Sequence, residues 1–109
     1  MKIQHDGDRL NVSGIDELTA VNSNAFRDEI RAVLPAPLKA IEIDLSDTQF
    51  VDSCGLGALF ALYKAASQGN GTPNGNGHEV SLRLINPRPQ VRQLFELTRM
   101  HQLFEIVQR

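Results

Sequence analysis

Asp52-Ser53-Cys54-Gly55 places an acid, a hydroxyl, a thiol and a small residue in consecutive positions, so nucleophilic chemistry is the first reading to test. Each template for it fails. A serine presented on a strand-to-helix elbow needs Gly-x-Ser-x-Gly, but Val51 stands two residues before Ser53. A cysteine loop cradling phosphate would need an arginine six positions on, where the chain has Phe60. A phosphate-binding loop needs Gly-Lys-Ser/Thr, which does not occur. His5, His78 and His101 are widely separated without metal-ligand spacing, and read as surface histidines. No catalytic residue, cofactor or metal site is expected, and the chain reads as a non-enzyme. Cys54 stands apart: the partial positive charge of a helix N-terminus favours a thiolate, so a redox-sensing thiol is physically reasonable. A small packed cysteine is the plainer alternative. Asp52 likewise reads either as a helix cap or as a functional carboxylate.

These residues need a strand and a helix to position them. Ile41, Ile43 and Leu45 alternate with Glu42 and Asp44, predicting a strand; a polar turn follows, and a helix begins near Asp52. That helix carries Leu56, Leu59, Phe60, Tyr63 and Ala66 on one stripe, with Ala58, Ala61, Leu62 and Ala65 continuing round the side. It is apolar over more than half its surface, which suits a helix central to the packing or one sharing a second face with a partner.

Upstream, Lys2–His5 and Arg9–Val12 flank Asp6-Gly7-Asp8, the composition of a hairpin. Gly14 to Val21 reads as a connector. Asn22 or Ser23 is a suitable cap for a helix with Phe26, Ile30, Val33 and Leu34 on one face, stopped by Pro35 and Pro37. Downstream, Gly69 to Glu79 is a glycine- and asparagine-rich stretch expected to be a flexible loop. A strand over Val80–Ile85 follows, ended by Asn86-Pro87, then a helix from Pro89 with Val91, Leu94, Phe95 and Thr98 on one face. A short helical piece at His101–Leu103 and an extended segment over Phe104–Val107 close the chain. Both central strands alternate instead of running continuously apolar, so the helices should lie on one face of a mixed sheet whose other face is largely solvated.

The chain has 109 residues, enough for a single domain with one core. Its 11 Lys and Arg are scattered and its net charge is −2, which argues against nucleic-acid binding. One cysteine, no apolar leader and no long apolar run predict a reduced, cytoplasmic protein without membrane insertion.

The segment Asp44-Leu45-Ser46 to Phe50-Val51-Asp52-Ser53-Cys54-Gly55-Leu56-Gly57-Ala58-Leu59 resembles the signature of STAS domains, the anti-sigma-factor antagonist family. In that family a hydrophobic strand precedes Asp-Ser-Ser-Gly-Leu-Gly at the opening of a helix. The likeness extends to Gly14 after the second strand, the Leu18–Leu34 segment, Asn86-Pro87 and the Val91–Phe104 region. It implies a STAS-like α/β domain with a mixed four- to five-stranded sheet and helices mainly on one face. It also implies a protein-interaction module in bacterial signalling and transcription control. In the family a partner serine kinase, which is also the anti-sigma factor, phosphorylates the serine before the motif's first glycine and thereby breaks the complex.

That position is Cys54 here, which cannot form the usual phosphoester. Ser53 is the remaining hydroxyl, about 100° away round the helix. A second departure is Thr19, standing after Leu18 where the family often has aspartate. The resemblance implies a docking surface of Thr48, Val51, Asp52, Ser53, Cys54, Gly55, Leu56, Gly57 and Leu59. Two other roles are compatible with the sequence: a STAS subunit or regulator of a membrane transporter of the lipid ABC type, and a thiol sensor acting through Cys54.

Overall fold

The computed structural model describes residues 1–33, 39–67 and 81–109. The expected hairpin forms from β1 (Lys2–Asp6) and β2 (Arg9–Ser13), with Asp6 opposite Arg9. Gly7 turns the chain at φ 62°, a conformation that costs glycine little. After β2 come β3 (Glu17–Leu18), α1 (Ser23–Arg31), β4 (Ala40–Asp44), β5 (Phe50–Val51) and α2 (Ser53–Ser67). The remainder holds β6 (Ser81–Ile85), α3 (Pro89–Leu97), a 3-10 turn at Met100–Gln102 and β7 (Glu105–Val107).

The main sheet has the order β1-β2-β4-β6-β7, antiparallel at the hairpin and parallel elsewhere. Each parallel neighbour is reached through a helix, because a parallel return needs a crossover. This is the mixed sheet that the alternation and the resemblance imply. Leu10 and Val12, Ile41 and Ile43, and Leu82 and Leu84 form one core with Phe26 and Ile30 of α1, Leu59 and Leu62 of α2, and Val91 and Phe95 of α3. All three helices therefore serve one side of the sheet. The segment after β6 turns at Asn86 (φ 53°), whose side-chain oxygen accepts from the Arg109 N–H at 2.7 Å.

Three expectations are corrected. Gly14–Val21 is not a plain connector: it contains β3, which pairs in parallel with β5 as a separate two-stranded ribbon. The far side of the sheet is not simply solvated either. Glu42 is buried there because the guanidinium groups of Arg83 (3.2 Å) and Arg109 (3.1 Å) lie on its carboxylate, and Arg83 also reaches Glu105 at 2.7 Å. Finally, the buried stripe of α2 runs through Ala58, Leu59 and Leu62, while Phe60 faces solvent beside Lys64. On α3, Val91 and Phe95 are buried and Leu94 half-buried, but Thr98 is exposed, its hydroxyl donating to the Leu94 carbonyl at 2.9 Å. Leu34, Pro35, Pro37, the Gly69–Glu79 loop and Val80 lie outside the described residues, as does the side chain of Ala66.

Candidate functional site

The candidate site is the N-terminus of α2, and two loops hold it in place. Segment 48–52 runs beside segment 15–20, fastened along its length. The Thr48 hydroxyl donates to the Ile15 carbonyl at 2.6 Å, and the Gln49 N–H donates to the Asp16 carbonyl at 2.9 Å. Glu17 then pairs with Phe50 and Leu18 with Val51. The Asp52 N–H ends the run by donating to the Leu18 carbonyl at 3.1 Å. Thr48 can be wholly buried because this hydroxyl bond satisfies its polar atom.

Asp52 occupies the cap position of α2 and does two jobs there. Its Oδ1 accepts from the Gly55 N–H at 2.9 Å, satisfying a helix donor that has no partner within the helix. Its Oδ2 accepts from the Ala20 N–H at 3.1 Å, tying the helix start to the loop before α1. The Gly55 bond foremost, and those from Ala20 and Cys54 after it, hold the carboxyl below the usual range against an opposing effect of desolvation. Asp52 is thus a cap and a tether, with a backbone N–H on each carboxylate oxygen.

Gly55 is fixed by contact. A Cβ at this position would collide with the Leu18 carbonyl, so only glycine lets α2 start so close to β3. The loop before α1 is organised by Asn22, one of the two residues expected as a cap. Its side chain turns backwards instead, accepting from the Thr19 N–H at 2.9 Å and donating to the Glu17 carbonyl at 2.7 Å, and makes no bond to α1.

On this base, Ser53, Cys54 and Gly57 are exposed and Leu56 is half-buried. The sequence-derived surface therefore divides in two. Ser53, Cys54, Leu56 and Gly57 are available for contact, with Asp52 partly so. Thr48, Val51, Gly55 and Leu59 are corrected from surface to interior: Thr48 and Leu59 are inaccessible to solvent, Val51 is 5% exposed, and Gly55 is packed on Leu18. Phe50, inside the expected Thr48–Val51 turn, is more than half exposed on β5. Val51 beside it is buried, but a two-residue strand is too short for such a contrast to be read from sequence.

A family model of the STAS domain matches residues 1–109. The chain belongs to the STAS domain family. Among solved structures, this STAS domain is similar to a candidate anti-sigma factor antagonist of Thermotoga maritima (20% identity, TM-score 0.82, covering 97% of this chain and 84% of that one). It is also similar to an anti-sigma factor antagonist of Mycobacterium paratuberculosis (25% identity, TM-score 0.77, 97% and 82% covered). A third similar structure is the Bacillus cell fate determinant SpoIIAA in its phosphorylated form (16% identity, TM-score 0.65, 96% and 88% covered). The STAS domain described here therefore has an anti-sigma-factor-antagonist-like fold. No helix among the described residues is long and apolar enough to cross a membrane.

Proposed function

We propose that this STAS domain is a non-enzymatic interaction module that binds a serine-kinase-type anti-sigma factor through the exposed first turns of α2. The observation that carries this reading is the rigid presentation of Ser53, Cys54 and Gly57 above Asp52, whose two oxygens bind both the helix and the loop before α1. A helix end locked in this way can offer one surface to a partner without first paying to order it. A phosphate on a contact residue would add about −1.5 to −2 charges and disrupt a packed interface. Cys54 cannot take that phosphate as an ester, so the domain stays in its binding form.

The test is affinity capture from the native cell with wild type, Cys54→Ser and Cys54→Asp, read by mass spectrometry with phosphosite mapping. A kinase-like ATPase should be captured by wild type and lost with Cys54→Asp. Cys54→Ser should acquire phosphate and then release it. Unchanged capture by a folded Cys54→Asp overturns the assignment of this surface. The absence of the phosphorylatable serine also favours a second reading, a regulator attached to a membrane transporter. Transporter components captured by both wild type and Cys54→Ser, without phosphate, select that role.

A further inference from the structure

Beside the two-strand ribbon, and separate from Ser53 and Cys54, lies an open groove of about 820 Å³ between segment 14–17, α1 and β5. Ile15 and Phe26 contribute its apolar floor, and Phe50, 56% exposed, stands at its wall. Asp16, Glu17 and Glu29 border it; no lining side chain is basic, and Met1, which carries the amino terminus, also lines it.

Among the described residues, Asp8, Asp28, Glu42, Glu96 and Glu105 each pair with Lys or Arg. Asp44 and Asp52 accept backbone N–H groups. Asp16, Glu17 and Glu29 have no such side-chain partner; within the described residues they share that condition with Asp6 and Asp47 alone. Unneutralised carboxylates therefore collect at a groove that also exposes an aromatic ring. A cation is complementary to such a group, and an apolar floor beside it suits a cation on a long hydrocarbon stem.

We infer that this groove receives an arginine-bearing segment of a protein partner. Arginine fits the surroundings better than lysine: a planar guanidinium pairs with carboxylates through two parallel N–H bonds and stacks on an aromatic face such as Phe50. The inference rests on the proposed role as a protein-binding module, and it adds a second point of attachment with its own chemistry. The groove orients the partner about the α2 terminus, and its charge speeds encounter at low salt.

The experiment follows amide chemical shifts of the full chain, isotope-labelled, on titration with a blocked arginine-containing peptide. A matched peptide carries glutamine in place of arginine. Saturable shifts are expected at Ala25, Gln49 and Phe50, with the glutamine peptide several-fold weaker. The double variant Glu17→Gln/Glu29→Gln should bind the arginine peptide about fivefold more weakly, the loss expected for two exposed ion pairs. Both positions are exposed, and the spectrum of the variant reports directly whether it is folded. Shifts that do not saturate, that spread equally to Asp6 and Asp47, or that are the same for both peptides overturn the inference. The peptide reads the groove alone, so its failure leaves the α2 surface untouched, whereas failure of the Cys54→Asp capture test leaves the groove result standing.

Discussion

The α2 terminus and the outer face of the sheet both hold a carboxylate that gathers neighbouring chain segments, yet they are built differently. Asp52 binds backbone N–H groups of Gly55 and Ala20, at fixed points on the chain. Glu42 binds the tips of Arg83 and Arg109, whose side chains are 33% and 55% exposed. Backbone partners cannot swing away without local unfolding, whereas long side chains can, and salt screens them. The first arrangement suits a surface that must keep one shape. The second covers a sheet face and fastens the last strand at modest gain.

Predictions that break this contrast run from steric to electrostatic. Gly55→Ala carries the largest effect, because the new methyl meets backbone at Leu18 and neither side can yield cheaply. We expect a loss of about 3 kcal/mol or more, measured by chemical denaturation, with amide shifts displaced over 14–20 as well as along α2. Thr48→Val keeps the shape but removes the hydroxyl bond to the Ile15 carbonyl, the one side-chain bond to it among the described residues. A loss of about 1–2 kcal/mol in the same assay is the expected result; no loss would mean that the ribbon alone fastens the loops.

Acid sharpens the contrast. Because the carboxyl of Asp52 sits below its ordinary range in the folded chain, its contribution is complete above the unfolded value and fades as pH falls through the folded one. Asp52→Asn should therefore be less stable than wild type at neutral pH, and the gap should narrow progressively below about pH 4. A gap independent of pH from 7 to 2 would contradict this account. The smallest effect is expected at the outer face. Arg109→Ala should cost about 0.5 kcal/mol at low ionic strength and less in 1 M NaCl, since Arg83 remains on Glu42. Salt insensitivity would show that Arg109 acts by packing.

The strand alternations at 41–45 and 82–84, the faces of α1 and α3 and the hairpin at Gly7 were legible in the chain, because each pattern repeats over several residues and reports which side is apolar. The parallel ribbon of β3 and β5 was not, since a pair of residues has no period. The phase of α2 was misjudged for a related reason. A helix apolar nearly all round has no distinct polar face to set its rotation, so Leu59 was assigned to the surface while the exposure of Phe60 was missed.

Taken alone, the sequence determined the family motif, the replacement of its serine by Cys54 and the order of the helices and main-sheet strands, because these depend on residue identity and local periodicity. Tertiary structure decided which motif residues a partner can touch. Asp52, Gly55 and Thr48 acquire their roles from Ala20, Leu18 and Ile15, each more than 30 residues away along the chain. The unpaired acids of the groove become a group only when α1, which carries Glu29, is laid beside segment 14–17. Contacts between distant segments depend on how the core brings them together, and no local pattern in the chain encodes that approach.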